Sequence, residues 1–219
     1  MKIGIMGGTF DPIHYGHLYI AEEVRQAARL DKVLFIPSAQ PPHKTDFIVT
    51  SSDHRLEMVR LATAGNPFFE VSAIEIEMGG TSYSVRTVEQ LINKYDGKAG
   101  LYFITGVDAF AEIATWFDVE RLLTLCHFVV TSRPGYPFRR LEAVPHIKPE
   151  TLALLDEMDA GRPCATATLE TGRDLILLRT LQLDIAATDL RARIRSGRSI
   201  RYLLPDSVES YIMAHSLYS

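Results

Sequence analysis

Two histidines three residues apart follow a glycine pair in the segment Gly7-Gly8-Thr9-Phe10-Asp11-Pro12-Ile13-His14-Tyr15-Gly16-His17. The run Lys2 to Met6 before it reads as a buried strand. Leu18, Ala21, Val24 and Ala28 after it mark a helical stripe to about Arg29, so the segment joins a strand end to a helix start. A helix start offers unpaired backbone N–H groups and a partial positive charge. Glycines there let the backbone take otherwise disfavoured angles and come close to a ligand. Phosphate suits such a place. His14 and His17, spaced across the helix start, can put both imidazoles on one side to donate to phosphate oxygens. The plainer alternative is that the histidines cap the helix and the glycines make a turn. Zinc fits poorly, because the usual helical pair is four apart and needs a third ligand, and the sequence offers no such set.

A second segment, Ile185-Ala186-Ala187-Thr188-Asp189-Leu190-Arg191, again follows strand character and opens a helix. Thr188 falls near the N-cap and Arg191 one turn in. A guanidinium is a planar, permanently charged fork matched to phosphate oxygens, and Thr188 adds a hydroxyl beside free backbone donors. The plainer reading is a capped helix with a solvated arginine.

The elements that must position these groups alternate between strand and helix. Val33 to Ile36 is a second apolar strand stopped by Pro37, completing a βαβ unit, and a Pro-, His- and Lys-containing loop then runs to about Thr50. Helix is expected from near Ser52, capped through Ser52 and Asp53, with Leu56, Val59 and Leu61 or Ala62 inward. Strand is expected over Phe69 to Ile76, helix over Val85 to Tyr95, strand over Leu101 to Ile104, helix over Val119 to Leu125 and strand over Phe128 to Val130. From about Pro134 to Arg173 the periodicity weakens among prolines and glycines, which reads as an excursion on the sheet's edge. Leu175 to Leu178 and Leu181 to Ile185 have strand character, and Asp189 to Ile194 and Asp206 to Ala214 helical character. The sum is an α/β fold, a Rossmann-like open, mostly parallel sheet with helices on both faces, in one domain over 1–219. In such sheets ligands sit outside the carboxyl ends of the strands.

The 219 residues suit one sizeable domain at roughly 100–200 residues each, and 47% apolar with 23% charged residues is ordinary globular composition. A formal charge of -4 gives no basic field for a phosphate polymer, so nucleic acid is not an expected partner. No run approaches a membrane span, and Met1 to Met6 lacks the length of a signal peptide. Cys126 and Cys164 have no CxxC spacing and read as reduced thiols, so the cytoplasm is the expected compartment. Assembly into a homo-oligomer is compatible with the sequence.

The stretch GGTFDPIHYGHL resembles the signature of the nucleotidyltransferase superfamily, whose members share an HxGH element at this place. The resemblance implies that His14 and His17 contact ATP phosphates and stabilise charge developing at the α-phosphorus, within an ATP site that includes Gly7, Gly8, Thr9 and Phe10. The second segment resembles the family's ISSTxIR element, which implies that Thr188 and Arg191 hold the β- and γ-phosphates. Ala186 and Ala187 stand where serines are common, and Leu190 replaces isoleucine. Four further segments resemble bacterial nicotinate mononucleotide adenylyltransferases: Pro41-Pro42-His43-Lys44, Thr81-Ser82-Tyr83-Ser84, Gly106-Val107-Asp108 with Trp116, and Ser132-Arg133-Pro134-Gly135. This second resemblance covers most of the chain and is weakest from about Phe138 to Arg173. It implies that His43, Lys44, Ser84, Trp116, Phe117 and Arg133 bind nicotinate mononucleotide, with Trp116 stacked on the ring and Lys44 and Arg133 facing its phosphate. It also implies that Gly106 and Asp108 sit at the ATP site, Asp108 accepting from a ribose. Ser84 stands where the family commonly has threonine. The implied catalytic residues are His14, His17 and Arg191, and Mg2+ is expected to arrive with ATP, held by phosphates and water without a protein metal ligand. Rival expectations are transfer to another acceptor such as phosphopantetheine, a cytidylyl transfer, and a catalytically silent nucleotide sensor.

Overall fold

The computed structural model describes residues 1–40 and 49–219. Among them seven strands form one sheet: β1 (Lys2–Gly8), β2 (Lys32–Pro37), β3 (Phe69–Val71), β4 (Gly100–Gly106), β5 (His127–Thr131), β6 (Cys164–Thr168) and β7 (Asp174–Leu178), in the order β3-β2-β1-β4-β5-β7-β6. The α-helices are α1 (Tyr15–Ala27), α2 (Ser52–Thr63), α3 (Ile74–Met78), α4 (Ser84–Lys94), α5 (Val107–Ala111), α6 (Val119–Leu125), α7 (Thr151–Asp159), α8 (Ala187–Arg195) and α9 (Asp206–Ala214). Strands β1 with β4, β4 with β5, and β5 with β7 pair in parallel, and β6 runs antiparallel to β7. This is the open, mostly parallel α/β sheet that the sequence pattern predicts. The strand order reverses between β1 and β4, so the loops after those two strands are where ligand-binding groups belong.

Parallel strands covered on both faces need near-continuous apolar runs, and these strands have them. Ile3 and Ile5 in β1, Leu101 to Ile104 in β4, Phe128 to Val130 in β5 and Leu175 to Leu178 in β7 are all buried. Strand β6 is Cys-Ala-Thr-Ala-Thr, with only Ala165 and Ala167 turned inward, the alternation of an edge strand. The chain divides into two compact units. One is Met1–Met6, Ala21–Val33 and Tyr83–Gln182, and the other Gly7–Ile20, Leu34–Ser82 and Leu183–Ser219. In the first, Phe110 of α5 packs on Phe128 of β5 with ring centroids 5.2 Å apart. In the second, Phe10, Phe35 and Phe69 form a row at 6.0 and 5.0 Å, and α2 meets α9 through His54 Nδ1 and the Tyr211 hydroxyl, 2.9 Å apart.

Several boundaries differ from the sequence expectation, each for a local reason. Helix α2 is capped by Ser51, whose Oγ accepts from the His54 N–H, and Ser52 and Asp53 lie inside the first turn. The inward face of α2 carries Met58 and Thr63, while Leu61 and Ala62 are only half-buried. Strand β3 stops at Val71, and Ile74 to Ile76 lie in the short helix α3, because a run that alternates Ile and Glu does not by itself distinguish the two states. Leu181 to Ile185 is not a strand, and Leu181 is 66% exposed. The weakly periodic stretch from Pro134 to Arg173 holds a 3-10 turn at Phe138–Ala143, then α7, and then β6, which is an edge of the sheet.

His146 fastens that stretch to α6. Its Nε2 lies 2.6 Å from Glu120 and its Nδ1 3.2 Å from Glu170, so the ring bridges two carboxylates with both nitrogens donating, as an imidazolium. The hydrogen bond to Glu120 raises its pKa above the ordinary histidine value; burial opposes the rise, and the bond to Glu170 adds to it. A raised pKa in the folded state means that the stabilisation is complete below the unfolded value, about 6.5, and fades as the pH climbs through the raised one. Melting temperatures of the chain and of His146→Gln should therefore differ most at about pH 6 and converge at alkaline pH. Both carboxylates are exposed, so the largest gap should be about two degrees; a gap that widens with pH would contradict the bridge.

Candidate active site

The segment after β1 turns sharply at Phe10, whose φ is +50°. Gly7 and Gly8 do not take positive φ, so the expectation of disfavoured glycine angles is corrected: the left-handed residue is Phe10. The glycines serve space instead. A Cβ on Gly8 would lie 3.0 Å from the Phe10 ring, whereas one on Gly7 would meet no protein atom within 4 Å. The Phe10 side chain is buried against Phe35 and the His17 ring, so an ATP contact at this position would have to come from its backbone.

His14 is the residue before α1 and His17 lies in its first turn. Their rings stack at 3.8 Å between centroids and 27° between planes, both imidazoles on one side of the helix start. The His17 N–H donates to the His14 carbonyl at 3.0 Å, and His17 Nδ1 accepts from the His14 N–H at 3.3 Å. This reciprocal pair is a capping arrangement with imidazole in the place usually taken by Glu or Gln. With Nδ1 accepting, the ring proton of neutral His17 sits on Nε2. Gly16 makes the stack possible, because a Cβ there would lie 3.0 Å from His14 Nδ1.

Arg191 brings the second helix start to the same place. Helix α8 begins one residue before Thr188, with Ala186 at the cap position and no side-chain cap bond, so Thr188 lies inside the first turn and not at the cap. Its hydroxyl is 3.3 Å from Arg191 Nη2, and Arg191 Nη1 donates to the Asp11 carbonyl at 2.6 Å. His14 and Arg191 are both largely buried, at 6% and 9% exposure, so a phosphate held there would lose much of its water. Asp11, at 2% exposure, accepts from the Tyr218 hydroxyl at 2.7 Å and from the Thr50 N–H at 3.3 Å. Arg55, at 1% exposure, donates to the carbonyls of Thr50, Thr9, Ser38 and Ala39 at 2.8, 2.8, 2.7 and 3.2 Å.

The residues expected to read the acceptor lie in the other compact unit. Ser84 is the first residue of α4, and the cap position is Tyr83. The Tyr83 ring lies against Phe117 at 4.5 Å between centroids, with the Arg86 guanidinium 5.2 and 5.6 Å from the two rings. Trp116 is half-buried and edge-on to Phe103 at 5.7 Å. Asp108 and Arg133 pair with each other, Nε to Oδ2 3.5 Å, above Gly106, where a Cβ would collide with the Asp108 carboxylate and lie 3.2 Å from Arg133 Cγ. Arg133 also lines a cleft of about 460 Å³ with Ser132, Tyr136, Asp159, Arg179 and Gln182. His43 and Lys44 fall outside the described residues.

The sequence reading missed Arg55, Asp11, Tyr218, Tyr83 and Arg86. For Arg55 a signal existed, since it lies in phase with Met58 and Val59 on the buried stripe of α2, where an arginine demands acceptors. For Tyr218 none did, because its partner is 207 residues away.

The cytidylyltransferase-like family model matches residues 5–193, and the chain belongs to that family. Among full-length relatives it is 45% identical over 217 residues to the Moorella thermoacetica protein named "Probable nicotinate-nucleotide adenylyltransferase", covering 99% of this chain and 91% of the relative. It is 48% identical over 216 residues to a Roseiflexus protein of the same name, covering 99% and 97%. The fold is that of Plasmodium falciparum nicotinic acid mononucleotide adenylyltransferase complexed with NaAD, at a TM-score of 0.71 and 16% identity over 99% of this chain and 97% of that one.

Arg55→Met should leave four carbonyls, the buried one of Ser38 and the part-buried ones of Thr9, Ala39 and Thr50, short of a donor and lower stability by about 3 kcal/mol or more. Arg55→Lys, with a point charge in place of a planar fork, should fall between. Denaturant unfolding without ligand measures both, and a methionine variant as stable as the parent would show that the network is dispensable.

Proposed function

We propose that the chain transfers the adenylyl group of ATP to nicotinate mononucleotide, releasing pyrophosphate and forming nicotinate adenine dinucleotide. The observation that carries this reading is the His14–His17 stack at one helix start, with Arg191 of a second helix start bonded to the Asp11 carbonyl of the same loop, in a chain 45% identical over its length to a relative bearing the enzyme's name. An oxygen of the acceptor's phosphate attacks the α-phosphorus in line, and the bond to the β-phosphate breaks with its electron pair leaving on pyrophosphate. No covalent intermediate with the protein is required. Catalysis is then positioning plus donation to oxygens that gain charge, the work of His17 Nε2, His14 and Arg191 with the backbone N–H groups of α1 and α8. Ser84, Trp116, Phe117, Asp108 and Arg133 supply hydroxyl, ring and charge for the acceptor and for a ribose.

Magnesium comes with ATP. Asp11, the carboxylate of the motif loop, is already engaged by Tyr218 and Thr50, which fits an ion held by phosphates and water. Burial pushes the Cys126 thiol up to about 12, which suits a packing role rather than a nucleophilic one. Free Cys126 and Cys164 suit a reducing cytoplasm.

Pyrophosphate release should be seen with ATP and nicotinate mononucleotide and be weaker with the amide. Release only with phosphopantetheine or only from CTP would replace this reading, and no release with any acceptor would favour a silent sensor. In the same assay His17→Ala should lower kcat by about a hundredfold or more while the KM for ATP changes by only about a few-fold, because the Nε2 contact strengthens as charge develops. Equal losses in both would assign His17 to ground-state binding.

A further inference from the structure

Residues 187–205 carry five arginines, Arg191, Arg193, Arg195, Arg198 and Arg201, against one carboxylate, Asp189, in a chain whose net charge is -4. Arg191 is buried, and the other four make no ion pair among the described residues. Arg195, Arg198 and Arg201 are exposed. Arg198 Nε donates to the Ser196 hydroxyl at 3.1 Å, and the Arg201 guanidinium lies 5.7 Å from the centre of the Tyr202 ring.

Helix capping does not account for this cluster. The last carbonyls of α8 are taken by neighbouring groups of the chain. The Ala192 carbonyl accepts from the Ser196 N–H at 3.1 Å and its Oγ at 2.9 Å, that of Arg193 from the Arg198 N–H at 2.8 Å, and that of Ile194 from the Gly197 N–H at 2.9 Å. A cation in the last turn gains from the helix dipole, but α8 ends at Arg195, and Arg198 and Arg201 lie beyond it. Like charges one turn apart, as at Arg191 and Arg195, repel. Placement supplies a reason that the fold does not. This stretch is pinned to the motif loop at both ends. Arg191 Nη1 donates to the Asp11 carbonyl at 2.6 Å, and the Leu203 carbonyl accepts at 3.1 Å from the N–H of Tyr15, the first residue of α1. Arg195 stands one turn along α8 from the first anchor, and Arg201 two residues, or ~7 Å of chain, from the second.

We infer that Arg195, Arg198 and Arg201 form an electrostatic guide for the triphosphate, speeding its arrival at the start of α1 without holding it once bound. The inference rests on the adenylyl-transfer reading for the identity of the anion. Charge beside a site raises the association rate of a ligand of opposite charge, over a range set by screening. The Debye length is ~30 Å at 0.01 M salt and ~8 Å at 0.15 M.

The test is stopped-flow association of 2-aminopurine riboside triphosphate, an ATP analogue with a fluorescent base, over that range of salt. Arg195→Gln, Arg198→Gln and Arg201→Gln combined should lower the association rate constant by about three- to tenfold at the low end and by less than about twofold at the high end, with the dissociation rate and kcat unchanged. The corresponding triple lysine variant keeps the charge and should keep the parent's rate, which a need for guanidinium geometry in the fold would not predict. An association rate unchanged by the glutamines at low salt would overturn the inference. So would losses confined to dissociation or kcat, which would mark direct contacts. If the parent shows the charge-dependent association but forms no dinucleotide, the guide stands and the functional reading falls. If it forms dinucleotide with an association rate indifferent to salt, the reading stands and the guide falls.

Discussion

The buried guanidinium of Arg55 is the constraint on which the loop between β1 and α1 depends. Four carbonyl oxygens converge on it from the motif loop (Thr9), the end of β2 (Ser38 and Ala39) and the approach to α2 (Thr50). Irregular backbone cannot satisfy its carbonyls from a ladder or a helix, and a buried carbonyl without a donor is costly. A single planar fork with five N–H groups meets that need where no hydrophobic side chain could. Burial pulls the Arg55 pKa below its ordinary value while Asp11, Tyr218 and Glu75 pull it back. A guanidinium is the side chain least ready to give up its proton, which suits it to this place. The loop that precedes His14 is therefore shaped by side chain to main chain bonds.

On that base the first turn of α1 does two things with one residue. His17 Nδ1 satisfies the His14 N–H, one of the donors that every helix start leaves open, and in doing so fixes the tautomer in which Nε2 carries the proton. Ring orientation is set by the stack on His14 and by the edge contact with Phe10 at 5.1 Å. A donor whose tautomer and direction are set before ligand arrives loses little on reorganising when charge develops, which is the physical content of preorganisation. Gly16 follows from the same geometry, since the stacked His14 ring occupies the space a Cβ would need.

What the sequence made legible is local, and what it hid is non-local. Strands such as Leu101 to Ile104 and Phe128 to Val130 declare themselves because burial on both faces demands apolar runs, and the helix over Val119 to Leu125 was legible to the residue. The HxGH and ISSTxIR-like segments could be placed at helix starts because the neighbouring periodicity changes there. Strand β6 could not be read, because an edge strand buries one face and alanines suffice for it. Ile74 to Ile76 misled, since a few alternating residues cannot choose between strand and one helical turn. The Asp11 hub was invisible for another reason: Thr50, Arg191 and Tyr218 lie 39, 180 and 207 residues from it, and no short pattern encodes such pairings.

Arg191 and Arg133, the two arginines to which the proposed reading gives a phosphate, are held differently. Arg191, at 9% exposure, has one guanidinium nitrogen on a main-chain carbonyl and another beside the Thr188 hydroxyl. Arg133 pairs at 3.5 Å with Asp108 while 48% of its side chain remains exposed. An exposed pair of that kind contributes about 0–1 kcal/mol, so exchanging Asp108 for a ligand phosphate costs little. On the proposed reading that exchange would leave Asp108 to accept from a hydroxyl. On the adenylyl-transfer reading proposed above, a cation held on the main chain suits the triphosphate, whose reacting atom must be placed for in-line attack, and an exchangeable one suits an acceptor that has to enter and leave as product in every turnover.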